Sequence, residues 1–165
     1  MGLSRTSSTK VRRAGPDDLL AIVCLGRTFL AGGLYRTTPI PPAALEHNLL
    51  ALAMRRDSLL LVAERAGQVV GTLIASVDEN LFGVRCAADH FTYALPGSGA
   101  TPALLRAYLR WARGTDATLI GLQTSSGGNP RYERLLRRLG LVAVGRNYLV
   151  ADAPPAALLD SHDYL

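Results

Sequence analysis

With 165 residues, the chain has the length of a single domain able to bury a sound core. Its hydrophobic content of 48% is spread over short runs, none approaching the ~18 apolar residues of a membrane span, and its two cysteines are too few for a disulfide scaffold. The formal charge of +5 and isoelectric point of 9.7 admit an acidic ligand or nucleic acid, and of 18 basic residues only Lys10 is not an arginine, the side chain that best matches phosphate geometry. The N-terminus shows no hydrophobic signal region, so a cytoplasmic protein without a membrane partner is expected. His47, His90 and His162 are scattered, and no metal cluster is visible.

Residues 1–9 are small and polar and are expected to be disordered. A first strand is predicted at 11–14. Gly15-Pro16-Asp17-Asp18 reads as a turn and helix start, with acids near the positive end of the dipole. Apolar spacing through Leu19, Leu20, Ile22, Val23, Leu25 and Phe29 carries that helix to Gly32-Gly33, and a second helix runs from about Pro42 to Arg55. Two β-rich runs, 58–66 and 69–77, form a hairpin across Gly67-Gln68. Asp78-Glu79-Asn80 interrupts the sheet, which resumes at 87–95. In that strand Asp89 shares parity with Phe91 and Tyr93, so the three side chains are expected to face one way. A buried strand is predicted at 118–124. Asn129-Pro130 opens a last helix ending at Gly140, 141–152 supplies one long strand or two short ones, and 153–165 is a tail.

Between the strand at 87–95 and the next helix lies Pro96-Gly97-Ser98-Gly99-Ala100-Thr101. Glycines let backbone approach a ligand closely, and the first N–H groups of a helix have no partner inside it, which together suit a phosphorylated ligand. Pro102 fits a first helical turn and Thr101 is a candidate N-cap. Leu104, Leu105, Tyr108, Trp111 and Ala112 form the apolar stripe of this helix, opposite Arg106, Arg110 and Arg113. A dinucleotide-binding fold is disfavoured, because Gly97-x-Gly99-x-x-Pro102 lacks the third glycine and antiparallel strands precede the loop. A P-loop is excluded because no lysine follows.

The order of elements resembles the GNAT acyltransferase superfamily over roughly residues 11–152, with 10–152 as the domain. The glycine loop is similar to the family's R/Q-x-x-G-x-G/A, with Pro96 or Ala94 where arginine or glutamine is usual. The helix Asn129-Pro130-Arg131-Tyr132-Glu133-Arg134-Leu135-Leu136-Arg137-Arg138-Leu139-Gly140-Leu141 is similar to N-x-x-A-x-x-F-Y-x-K-x-G-F. The resemblance implies an α/β (α+β) fold: a mixed, mostly antiparallel sheet of about six or seven strands, about four flanking helices, and a splayed parallel strand pair. It implies an N-acetyltransferase using acetyl-CoA or another acyl-CoA as co-substrate, with no metal. Ala94 and Leu95 would pair with the pantetheine arm, the amides from Gly97, Ser98, Gly99, Ala100 and Thr101 would take the pyrophosphate, and Asn129 and Arg131 would hold outer parts of the cofactor. Glu79, Asp89 and His90 are candidates for deprotonating an acceptor amine. Leu136 stands where the family often has a proton-donating tyrosine, which leaves Tyr132 and Tyr148 as candidates. The acceptor would be an amine on a small molecule or protein. Alternatives are a degenerate binding or regulatory module, or an acyltransferase acting on nucleic acid or a modified base. A homodimer is compatible with such a domain.

Overall fold

The computed structural model describes residues 8–31, 39–41, 43–123 and 129–145. Strands β1 (Lys10–Arg13), β2 (Ser58–Arg65), β3 (Gln68–Glu79), β4 (Arg85–Ala94) and β5 (Leu119–Ile120) lie side by side in that order. Pairing is antiparallel from β1 to β4 and parallel between β4 and β5. A 3-10 turn at Pro16–Asp18 and helices α1 (Leu19–Ala31), α2 (Ala44–Ala53), α3 (Thr101–Arg113) and α4 (Pro130–Arg138) complete the described elements.

The period of two along the strands separates two cores. Leu59, Leu61, Leu73, Ala75 and Val77 face α3 and its buried Leu104, Leu105 and Tyr108. Leu60, Val62 and Ile74 face the other way, against Ile22 and Val23 of α1 and Leu49 of α2. Because both faces of β2 are covered, its sequence is a continuous apolar run rather than an alternation. Each fully buried aliphatic side chain contributes roughly 1.5–3 kcal/mol, so these layers dominate the stability of the sheet. Asp18 ties β1 to the start of α1: its carboxylate accepts from Arg12 at 2.6 and 3.0 Å and from the Gly15 N–H at 2.7 Å.

The mixed, mostly antiparallel sheet is as expected, but five strands are present among the described residues rather than six or seven. Residues 141–145 form no strand, and 146–152 lie outside the described residues, as do 1–7 and the tail 153–165. Asp78 and Glu79 do not interrupt the sheet. They extend β3, and the reversal is made by Asn80, whose Oδ1 accepts from the N–H groups of Phe82 and Val84 at 2.9 and 3.0 Å.

One register detail overturns the parity expected in β4. Ile74 pairs with Phe91 and Ala75 with Asp89, so His90 is an extra residue without a partner position on β3. This β-bulge inverts the alternation. Phe91 and Tyr93 turn to the α1 face, where their rings lie 5.0 and 6.0 Å from that of Phe29. Asp89 turns to the α3 face, opposite to them.

Candidate functional site

β4 and β5 pair at only two positions, Cys86 with Leu119 and Ala87 with Ile120, and the last rung is the Gly121 N–H on the Ala87 carbonyl at 2.9 Å. A parallel ladder would continue by joining Gly121 and Gln123 to the backbone of Asp89. Both β5-side groups are taken by side chains instead. The Tyr108 hydroxyl, fully buried, lies 2.6 Å from the Gly121 carbonyl oxygen and 2.9 Å from that of Ala87. The Gln123 N–H donates to Asp89 Oδ1 at 2.8 Å, and the Thr92 hydroxyl donates to Asp89 Oδ2 at 2.9 Å. The two strands are thereby ended as a pair, and β4 runs on paired only with β3. This is why β5 is shorter than the predicted 118–124, whose last residue lies outside the described ones.

The open edge of β4 leads to the glycine loop. The Leu95 N–H donates to the Val70 carbonyl at 2.8 Å, so Leu95 faces β3 and alternation turns the backbone groups of Ala94 and Thr92 to the open side. The Leu95 carbonyl accepts from Ser98 at 3.0 Å. The expected pantetheine pairing therefore narrows to Ala94, since the N–H of Leu95 is committed inside the sheet.

Gly97 and Gly99 both adopt left-handed backbone, with φ of +73° and +68°, a conformation that favours glycine. A Cβ at either would meet no atom within 4 Å, so the requirement is conformational and the space beside the loop is open. The N–H groups of Gly97, Gly99 and Thr101 make no hydrogen bond among the described residues, whereas Ala100 donates to Ser98 Oγ at 3.3 Å and Ser98 donates to Leu95. Of the five amides expected to hold a pyrophosphate, three are thus available. The helix starts one residue earlier than predicted: Thr101 is its first residue, and its N-cap is Ala100 with φ −78° and ψ −29° and no side-chain cap. Thr101 is not the cap, and the uncapped end leaves its amide exposed to a ligand.

A positive side chain reaches the loop from elsewhere in the fold. Arg65, at the end of β2, places Nη1 3.5 Å from the carbonyl oxygens of both Gly97 and Ser98. Nothing in the local sequence signals this, because the residues are 32 and 33 positions apart. Asn129 caps α4 by accepting from the Arg131 and Tyr132 N–H groups at 3.0 and 3.4 Å, which leaves its amide NH2 to donate outward. Arg131 is exposed at the same helix end.

The proton-transfer candidates separate by environment. Glu79 is exposed at the end of β3. Asp89 is 5% exposed, and burial pushes its carboxyl above the usual range despite the hydrogen bond from Gln123. Tyr132 packs against the α3-side core, and burial, with the Asp89 charge second, raises its phenol well above the usual value. Leu136 packs beside it against the same core. Tyr148 lies outside the described residues. His90, on the bulge, is exposed and has Nε2 2.6 Å from Ser76 Oγ.

No protein-family model matches the chain, and no curated protein matches it in sequence. Solved structures do. The aminoglycoside N-acetyltransferase AAC(6')-Iy in complex with the bisubstrate analogue CoA-S-monomethyl-acetylneamine is 15% identical, with a TM-score of 0.70 over 90% of this chain and 100% of that one. A ribosomal-protein-alanine N-acetyltransferase from Brucella melitensis biovar Abortus 2308 is 16% identical, with a TM-score of 0.63 over 87% of this chain and 99% of that one. A transcriptional regulator from Bacillus halodurans C-125 is 20% identical, with a TM-score of 0.68 over 87% and 99%. Together with the broken β4–β5 ladder and the amide-lined loop at the head of α3, these likenesses show that the chain has the GNAT acyltransferase fold.

Proposed function

We propose that the protein is an acyl-CoA-dependent N-acyltransferase that moves an acetyl group from acetyl-CoA to an amine on a small molecule. One observation carries the reading: a strand pair ended by two side chains, opening directly onto a turn with three unused backbone donors at a helix N-terminus. That arrangement offers an extended arm a strand edge and offers a diphosphate a positive, preorganised cradle.

In this reading the amides of Gly97, Gly99 and Thr101, with Arg65 beside them, receive the pyrophosphate, and Ala94 pairs with the pantetheine. The Asn129 amide and Arg131 meet outer parts of the cofactor. The thioester carbonyl then lies along β4, whose wedge-side N–H groups stabilise the oxyanion as the amine attacks. A carboxylate such as Glu79, or His90 on the bulge, removes the proton from the acceptor. Asp89, buried and holding the strand ends apart, fits a supporting position better than an acceptor-facing one. Tyr132 holds its proton too tightly to give it up fully to a thiolate of ordinary basicity, so it stabilises the leaving group by hydrogen bonding. An amine acceptor is supported by the exposed carboxylate of Asp78, joined through Ser76 to His90, and by AAC(6')-Iy having been solved with the bisubstrate analogue CoA-S-monomethyl-acetylneamine.

Calorimetry with acetyl-CoA, followed by thiol release in the presence of a set of primary amines, tests the reading. Saturable binding in the micromolar range and amine-dependent thiol release are expected. Absence of binding at millimolar acetyl-CoA would refute it in favour of a module without this chemistry.

A further inference from the structure

His90 is solvent-exposed on the β4 bulge, so its competence to take a proton depends on what holds its ring. We propose that His90 is the general base, and that Ser76 and Asp78 are positioning residues that hold its ring with Nε2 protonated and Nδ1 free towards the acceptor. The inference rests on the acyltransferase reading and deepens it. His90 Nε2 lies 2.6 Å from Ser76 Oγ, and Ser76 Oγ donates in turn to Asp78 Oδ2. Asp78 is anchored from the far side by Arg55, whose Nη2 is 2.8 Å from Oδ1 and whose Nε is 3.0 Å from Asp57.

The direction of these bonds follows from donor counting. A carboxylate facing a guanidinium only accepts, so Ser76 must give its single proton to Asp78. Its oxygen can then only accept from the ring, which places the imidazole hydrogen on Nε2 and the lone pair on Nδ1. The Ser76 hydroxyl and the Arg55 guanidinium hold the Asp78 carboxyl below its ordinary range, so it remains ionised in this role. Ser76 is 1% exposed, and the bulge brings the ring over to it. The same face of the sheet carries Phe91 and Tyr93, with ring centroids 6.5 Å apart, and Phe29 packs 5.0 Å from Phe91.

The step balances. Nδ1 takes one proton from the acceptor ammonium, the nitrogen lone pair forms the C–N bond, and the C–S bond breaks with its electron pair left on sulfur. The second nitrogen proton goes to the departing thiolate, giving the amide and free CoA thiol.

A double-mutant cycle with an independent spectroscopic reading tests this. With acetyl-CoA and three acceptors (an aminoglycoside, a polyamine and an alanine-ended peptide), His90→Ala is expected to lower kcat by ~10²–10⁴. Ser76→Ala and Asp78→Ala should lower kcat about tenfold or more while KM for acetyl-CoA stays within about twofold. In the His90→Ala background the same changes should have no further effect, because their influence passes through the ring. Nitrogen-15 NMR at about pH 8 should show His90 as the Nε2–H tautomer with a slowly exchanging ring proton, lost in Ser76→Ala. Undiminished kcat in His90→Ala, equal losses in both backgrounds, or an Nδ1–H tautomer would each overturn the proposal. A wild type that binds acetyl-CoA and shows the ring proton yet acylates none of the amines overturns the acyltransferase reading, and the assigned role with it, while leaving the hydrogen bond intact.

Discussion

Replacing Gly99 by alanine isolates the loop from the rest of the fold. At φ +68° an L-residue carries a penalty of ~1–2 kcal/mol, while the new Cβ would meet no atom within 4 Å. The variant should therefore fold, losing at most that amount from a total stability of roughly 5–15 kcal/mol. The chain can relieve the strain by rotating the loop, which turns the Gly99 N–H out of the cradle. A hydrogen bond to a charged group contributes ~1.5–3 kcal/mol, so the dissociation constant for CoA should rise about 10- to 100-fold. Gly99→Asn is the control: asparagine tolerates the left-handed region, and its affinity should stay within about threefold of wild type. Calorimetry with CoA and with S-acetylpantetheine, which has no diphosphate, separates the cradle from the strand edge. Only CoA binding should weaken. If Gly99→Ala binds CoA as the wild type does, or loses both ligands alike, the loop is not the diphosphate site.

Three further outcomes follow from the geometry. Arg65→Ala should weaken CoA binding severalfold and flatten its dependence on ionic strength, since a charge 3.5 Å from the loop carbonyls is removed; an unchanged salt slope would place Arg65 outside the site. Tyr108→Phe leaves the Gly121 carbonyl without its hydroxyl donor in a buried setting, and the urea midpoint should fall by the equivalent of ~1–3 kcal/mol. Asp18→Asn should cost a similar ~1–3 kcal/mol at neutral pH by breaking a hydrogen-bonded pair with Arg12. Because Arg12 lowers the Asp18 carboxyl, its contribution is complete above the unfolded value near ~4 and is lost as pH falls from there through the lowered folded value. Denaturation midpoints between about pH 6 and 3 should thus decline less steeply in the variant than in the wild type.

Much of the scaffold was legible before folding. Of the predicted α3 stripe, Leu104, Leu105, Tyr108 and Ala112 are buried, as the 3.6-residue period implies, while Trp111 is half-buried against the same core. The β2–β3 hairpin lies where two β-rich runs meet, although its turn is Ala66-Gly67, both with positive φ, rather than Gly67-Gln68, because Arg65 pairs with Gln68; Asn129 caps α4 as an asparagine before Pro130 should. What failed was parity and length. Alternation in 87–95 was read without the bulge, because an extra residue in a strand leaves no mark in its own composition. It is created by the register of the opposing strand. The end of β5 was missed for the same reason, since the groups that stop it, Asp89 and Tyr108, come from a neighbouring strand and from a helix.

Local chemistry along the chain was enough to determine a glycine turn feeding a helix start, an amphipathic α3 and an antiparallel hairpin, because each depends on propensities within a few residues. Only the tertiary structure decided which amides remain unused, that Arg65 stands beside them, and that His90, Ser76 and Asp78 meet. Those facts arise from pairing between residues far apart in sequence, where a one-residue change of register sends every following side chain to the other face of the sheet.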